Sequence, residues 1–343
     1  MTASDSSAPE PVLILGGGLM GLAVAHQLAR RGIPVTVLSR RRSEAAGFVA
    51  AGMLAPHAEG LAGALLQLGQ LSLSRIPSWV AQIEADSGLP CGLRSTGIVV
   101  PFHSVNERDA YPTAPFGEPL NREQLVQELP GINAAWSAGL LFAQDGQIDN
   151  RRQLMRALES ACVDRGVQFQ EGVEVLELFT ANDHLSGVRT RDSEGREATL
   201  RCERAVLCSG AWSGQLLTQL PVFPVKGQML SLQSPRGALR RVIFGPGIYL
   251  VPREDGLWWS APPANAMPAS EKDSLHKGKP LSSKELPPCY PKLRTGLPWS
   301  AGGDSVPVHL MKARCWATVR SQGFCWPAAT IATAFSWLVP LQN

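Results

Sequence analysis

The six residues Gly16-Gly17-Gly18-Leu19-Met20-Gly21 carry the most specific chemistry in this chain. They fit G-x-G-x-x-G, the spacing at which bare backbone cradles a pyrophosphate. Gly16 permits a tight turn, Gly18 lets a diphosphate approach the main chain, and Gly21 lets a helix pack close to the preceding strand. Leu19 and Met20 open that helix, whose free N–H groups and positive dipole end face the phosphates. The chemistry implied is dinucleotide binding; the plain alternative is a βαβ unit without ligand. Nucleophilic and metal chemistry are not indicated. No Ser-His-Asp or Cys-His constellation stands out. The seven cysteines (91, 162, 202, 208, 289, 315, 325) show neither C-x-x-C nor metal-ligand spacing, and the six histidines are scattered.

The elements around the glycines give the motif its meaning. Residues 12–15 (VLIL) form an apolar strand, and Leu22, Ala25, Leu28 and Ala29 repeat at helical spacing after the turn. A second strand then ends at Ser39. NAD and FAD sites place Asp or Glu at that point to hold the ribose hydroxyls. Here Ser39 is followed by Arg40-Arg41-Arg42. That run suits a 2′-phosphate, and hence NADP, or equally a solvated basic turn with Ser39 as a weaker ribose contact. The local residues leave both open.

The bulk properties set limits. A chain of 343 residues has room for two domains and a substantial core. The polar start (MTASDSSAPEP) has no apolar stretch of the secretory kind, and no run is long enough to span a membrane. Unpaired thiols point to the reducing cytosol, so a cytoplasmic location is expected. The net charge of +3 is unevenly placed. Residues 1–256 hold 23 Lys and Arg against 25 Asp and Glu; residues 257–343 hold 9 against 4. The basic excess belongs to the tail and is no argument for nucleic acid.

Residues 48–59 (FVAAGMLAPHAE) narrow the choice of dinucleotide. Ala50, Ala51 and Gly52 are small enough for backbone to pack against a flat ring. Beside the glycine turn, the segment resembles the D-amino-acid-oxidase-like FAD enzymes, and among them the glycine oxidases of thiamine biosynthesis. Their A-A-G-M-L-x-x-H-A-E is matched by Ala50-Ala51-Gly52-Met53-Leu54 and His57-Ala58-Glu59. Without the resemblance, His57 reads as a satisfied structural histidine. Further motifs follow in the family's order. Residues 139–150 (GLLFAQDGQIDN) lead into a helix over about 151–165, with Asp149 or Asn150 as N-cap and Leu154, Leu158 and Cys162 on one face. Residues 205–214 (AVLCSGAWSG), 223–232 (FPVKGQMLSL) and 247–253 (GIYLVPR) continue the match, which runs from about residue 11 to 256. Trp212 reads as core packing rather than a flavin contact.

The resemblance implies an FAD enzyme that oxidises the amine of glycine or a small amino acid with O2. An imine hydrolysing to glyoxylate and ammonia, and H2O2, are the products. Its cofactor-binding residues fall here on Gly16, Gly18, Leu19, Met20, Gly21, Ser39, Arg40, Ala46, Gly47, Ala51, Gly52, Met53 and Val175, and Tyr249 falls where the family presents a tyrosine to substrate. No metal is implied, and the family admits a homo-oligomer. Another FAD amine oxidase or dehydrogenase acting on sarcosine or D-amino acids, an NADP-binding reductase, and a non-catalytic remnant are the competing readings. The expected fold is α/β: a Rossmann-like FAD-binding domain (10–80 and 150–218) interleaved with an α+β substrate domain on an antiparallel sheet (81–149 and 219–256).

After Gly256 the character of the chain changes. Residues 257–343 hold six of the nine tryptophans and eleven of the twenty-seven prolines, with no sustained amphipathic period, so a non-native or irregular tail is expected. Residues 271–288 (EKDSLHKGKPLSSKELPP) read as disordered. A displaced frame would account for the change; a genuine divergent tail is the plain alternative. Codons begun at the third base of one residue's codon give, with suitable third bases, VVVGAT from Leu257. The same frame can give ERWWGFRPGTPDEGPLLG across residues 299–317 and ASGHYRNGV across 326–335, followed by LLA. These are the C-terminal motifs the family would supply, in order and in one register. Met311 and Trp316, which have single codons, still yield the required residues. The reading is a one-nucleotide loss near the codon of Leu257. The arginine that pairs with the substrate carboxylate, in F-R-P-G-T, and the G-H-Y-R-N-G loop are therefore missing from the chain as written. Arg314 and Arg320 stand nearby but in the wrong frame.

Overall fold

The computed structural model describes residues 10–220, 222–245, 248–261 and 308–319. Residues 271–288 and 326–335, on which the disorder expectation and part of the frame reading fall, lie outside these. Val12–Leu15 is a run of four buried aliphatics, as a strand covered on both faces requires. This strand, β1, lies between β2 (Val35–Ser39) and β12 (Ala205–Leu207), with β8 (Gln168–Glu171) beyond β2. All pair in parallel, in the order β12-β1-β2-β8. Helix α1 (Leu19–Arg30) joins β1 to β2 and buries Leu22 and Ala25 completely. Helix α5 (Met155–Asp164) follows a π-helical turn at Asn150–Leu154, whose N-cap is Asp149. Leu154, Leu158 and Cys162 face the same core. Helix α2 (Gly63–Ser87) adds Ile76, Val80 and Ile83 to it. That helix runs straight through residue 80, where the sequence placed a domain boundary.

The other face of the parallel sheet is covered by an antiparallel one. Strands β9 (Glu174–Ala181), β10 (His184–Arg191) and β11 (Glu197–Arg201) pair in the order β11-β10-β9. Asn182 and Asp183, at φ 50° and 63°, make the two-residue turn between β9 and β10. Positive φ at both positions matches the twist of a hairpin. Val175, Leu178, Val188 and Leu200 of this sheet pack on Leu13, Leu15 and Leu38.

A separate mixed sheet holds eight strands: β17 (Val308–Val319), β13 (Val222–Gln233), β16 (Leu257–Ala261), β15 (Ile248–Pro252), β14 (Val242–Gly245), β4 (Ile98–Phe102), β6 (Ala138–Phe142) and β5 (Glu118–Leu120), in that order. Neighbours are antiparallel except β14 and β4. Alternation sends Val99, Leu141, Ile243, Leu250 and Trp258 to one face, under Leu125 of helix α4 (Arg122–Glu128). It sends Ile98, Val100, Phe142, Tyr249, Val251 and Trp259 to the other. Two short helices, α3 (Val105–Asp109) and α6 (Ser213–Leu216), complete the elements used here.

The boundary drawn at Leu257 moves. Residues 257–261 (LWWSA) form β16, paired on both sides, and Trp258 and Trp259 are buried. A five-residue apolar run after the Gly256 turn satisfies a central strand whatever its exact residues. Residues 308–319 add β17 along β13. Among the described residues, no helix is long and apolar enough to cross a membrane.

Between the parallel sheet and the eight-stranded sheet runs a small joint. Strand β3 (Met53–Leu54) pairs with β7 (Gly146–Gln147). Met53 points into the core of the eight-stranded sheet and Leu54 into that of the parallel sheet. Arg253, buried at the end of β15, donates to Gln147 Oε1 at 2.5 Å, Ala51 O at 2.5 Å and Ile148 O at 3.2 Å. Burial pulls its guanidinium down to about 10, so it stays charged at neutral pH.

Candidate functional site

At the C-terminal edge of the parallel sheet lies a cleft of about 300 Å³. This is where open α/β sheets bind ligands. Its floor is the turn Gly16-Gly17-Gly18 and the first residues of α1, Leu19 and Met20. The end of β2 (Leu38, Ser39), residues 40–42 and 44–47, Asn150, residues 173–175, residues 208–210 and Trp212 supply the walls. Register explains the assembly. Leu15 pairs with both Leu38 and Leu207, so three parallel strands end together and their following loops meet.

The glycines divide by role. Gly16 sits at φ +124°, and a Cβ there would lie 2.4 Å from Cys208 O. A Cβ on Gly21 would lie 1.8 Å from Gly16 O. Both are required by the protein's own backbone. Gly18 is not, because a Cβ there would meet only Ala45 Cβ, at 3.4 Å. It is nonetheless bare where it faces the cleft. Helix α1 has no side-chain cap at Gly18 and no acidic residue in its first turn, so its positive end is left to the cleft.

Of the sequence-derived cofactor residues, Gly16, Gly18, Leu19, Met20, Ser39, Arg40, Ala46, Gly47 and Val175 line the cleft. Gly21, Ala51, Gly52 and Met53 do not. Gly21 is buried under the turn. Ala51, Gly52 and Met53 form the joint: Gly52, at φ +79°, lies so close to the chain opposite that a Cβ would stand 2.1 Å from Ile148 O. Their small size serves this close backbone approach, and from the same segment only Ala50 reaches the cleft. Tyr249 is buried in the core of the eight-stranded sheet, its hydroxyl on Met229 Sδ at 3.3 Å. Trp212, expected in the core, instead stands half-buried on the cleft wall, with the Arg40 guanidinium 5.4 Å above its ring. The tight turn Gly210–Trp212 brings it there.

Residues not counted among the expected cofactor contacts complete the wall. Asn150 is fully buried and donates through Nδ2 to Gly47 O at 2.5 Å, while its Oδ1 has no partner within the protein. An orphaned buried acceptor on a cleft wall asks for a donor from a ligand. Glu174 joins Arg191 at 2.7 Å and Arg40 at 3.0 Å, and these two guanidiniums hold its carboxyl below the usual range. The adjacency of Glu174 to Val175 was the available signal. For Asn150 there was none beyond its nearness to a helix start.

The three arginines after Ser39 are all engaged. Arg42 pairs with Glu159 at 2.8 Å and lies 4.6 Å over Phe169, and Arg41 pairs with Glu44 at 3.0 Å. Each of the three thus has a carboxylate partner within the protein. His57 is satisfied and structural: Nδ1 meets Asp145 Oδ1 at 2.6 Å, and Gln70 Nε2 lies 3.1 Å from Nε2. Among the described residues no cluster of His, Cys, Asp and Glu could hold a metal, and Cys91, Cys162, Cys202 and Cys208 are free thiols.

The floor and the unused helix pole fit a dinucleotide diphosphate, and the orphaned Asn150 oxygen fits a hydrogen-bond donor elsewhere on such a ligand. Comparison with known proteins agrees. The bifunctional protein ThiO/ThiG of Synechocystis sp. is 40% identical over 253 residues, covering 71% of this chain and 37% of that protein. The chain thus spans well under half the length of that relative. The glycine oxidase of Pseudomonas aeruginosa is 28% identical over 258 residues, covering 72% of this chain and 69% of that protein. The crystal structure of a glycine oxidase from Bacillus cereus superposes with a TM-score of 0.65 at 26% identity, covering 74% of this chain and 70% of that one. The model of the family described as FAD dependent oxidoreductase matches residues 11–285, and the chain belongs to that family.

Proposed function

We propose that this chain is built as a glycine oxidase: it oxidises the amine of glycine or a similarly small amino acid with O2 and water. Glyoxylate, ammonia and H2O2 are the products, and the reaction feeds thiazole formation in thiamine biosynthesis. The observation that carries this is the cleft at Gly16–Met20, in an FAD family whose matched relatives include glycine oxidases. FAD, when bound, would supply the two-electron redox chemistry that links amine oxidation to O2. The chain's own residues bind and orient. Gly16, Gly18, Leu19 and Met20 face the diphosphate, Asn150 Oδ1 accepts a hydrogen bond, and Val175 contributes backbone at the adenine. The parallel sheet with its covering strands is the FAD domain, and the eight-stranded sheet is the substrate domain. Tyr249 is buried, with its hydroxyl on Met229 Sδ.

The substrate carboxylate needs a bidentate arginine, which supplies orientation more than electronic assistance. That arginine and the closing loop belong to motifs encoded out of frame after Leu257. The chain as written therefore holds FAD weakly and turns over little. Its small-molecule partners are an amino acid and O2, and its place is the cytoplasm. Restoring the frame by one nucleotide at codon 257 tests this. The restored protein is expected to be yellow and to release peroxide from glycine; the chain as written is expected to be colourless and nearly inactive. A yellow unrestored chain that oxidises glycine refutes the frame reading. A restored chain active only on sarcosine or a D-amino acid moves the substrate. A restored chain without flavin leaves a non-catalytic remnant.

A further inference from the structure

In dinucleotide folds an acid after the second strand grips the ribose hydroxyls, and a nearby arginine accommodates a 2′-phosphate instead. Here the end of β2 is Ser39, yet the cleft wall carries a carboxylate brought in by another element. Ser39 pairs with Glu171 at the end of β8, and Val173 N donates to Ser39 O at 3.1 Å. The start of β9 is thereby fixed against the end of β2, and Glu174 follows immediately. Its two oxygens are used once each, Oε1 by Arg40 and Oε2 by Arg191. A carboxylate offers about four lone-pair sites, so each oxygen retains one for a hydroxyl. Arg40 is held twice, by that ion pair and by the face of Trp212.

We infer that Glu174 is the ribose-recognising carboxylate of this chain and that, by holding Arg40, it excludes 2′-phosphorylated dinucleotides. The inference rests on reading the cleft as a dinucleotide site. Glu44 is the other acid on the wall, but its side chain is 51% exposed and its partner Arg41 is 68% exposed, a pair at the solvent rim.

The test is calorimetric titration of the full chain with ADP, 2′-deoxy-ADP and adenosine 2′,5′-bisphosphate. Every residue invoked lies between 15 and 216, so the ADP half of the site does not depend on the tail. Hydrogen bonds to a charged group set the scale, and loss of the 2′-hydroxyl should weaken binding by roughly ten- to a hundred-fold. Glu174→Gln should lose most of that discrimination and bind the 2′,5′-bisphosphate more tightly than wild type does. Glu118→Gln, at the exposed start of edge strand β5 and away from the cleft, should behave as wild type. A Glu174→Gln protein that still discriminates, or a wild type that never did, overturns the inference while leaving the dinucleotide site intact. Failure of the folded wild-type chain to bind ADP overturns the site reading and the inference together.

Discussion

The glycine turn contains two kinds of glycine, and substitution by alanine should separate them. At Gly21 a methyl group would lie 1.8 Å from the carbonyl oxygen of Gly16, far inside contact distance, and the obstacle is backbone. The first turn of α1 would have to move away from β1 by more than an ångström, against a core that includes Ile14, Leu22 and Ala23 at 0% exposure. Overpacking of that kind costs about 3 kcal/mol. At Gly18 the nearest atom would be Ala45 Cβ at 3.4 Å, an ordinary contact, and φ is −78°. Alanine is a poorer N-cap than glycine, by roughly 0.5 kcal/mol. It also removes freedom from the unfolded chain, which offsets that loss by a similar ~0.5 kcal/mol. Gly18→Ala should therefore leave the urea midpoint nearly unchanged while the methyl stands where the diphosphate must approach. ADP affinity, measured by calorimetry, should fall at least about ten-fold, since the lost contact is charge-assisted. Gly21→Ala should lower the urea midpoint markedly before any ligand is added. A Gly18→Ala protein that binds ADP like wild type, or a Gly21→Ala protein of unchanged stability, refutes the division.

Two further outcomes concern buried charge. Asp86 accepts from His26 Nε2 and Arg30 Nη1, each at 2.8 Å, and from Arg165 Nη2 at 2.5 Å. Burial pushes its carboxyl up, but those hydrogen bonds from Arg165, His26 and Arg30 outweigh it and hold the group well below the usual carboxylate range. A depressed folded value means the contribution is complete above the unfolded value of about 3.9 and fades as pH falls through the folded one. Asp86→Asn should cost about 3 kcal/mol at pH 7, and thermal melts should show the gap to wild type closing below about pH 4. A gap independent of pH refutes the ionic assignment. Arg253→Met leaves the buried oxygens of Ala51, Gln147 and Ile148 without that donor, and should cost about 4 kcal/mol in urea unfolding. Arg253→Lys should recover only part of this, because an ammonium lacks the planar fork that reaches several oxygens at once. Full recovery by lysine would show that charge alone matters there.

What could be read from the residues follows from the range of the interactions involved. The β1–turn–α1–β2 unit is local: apolar runs, helical spacing and glycines lie within thirty residues, and each has one physical use. The walls of the cleft are not local. Asn150, Glu174 and Trp212 reach it because β8 and β12 happen to flank β1 and β2, which is strand order, and strand order is not written in any window of sequence. The Ala51-Gly52-Met53 segment shows the opposite hazard. Its small residues signal a close approach, and at Gly52 the chain's own Ile148 makes one. A glycine reports that something comes near; only the neighbours say what. The same reasoning applies to β16. A strand in the middle of a sheet asks for four or five consecutive apolar residues and little else, and LWWSA meets that requirement as VVVGAT would. An arginine that must grip a carboxylate bidentately has no such latitude. A frame displaced at Leu257 would therefore still permit β16 at Leu257–Ala261, whereas it would not preserve such an arginine.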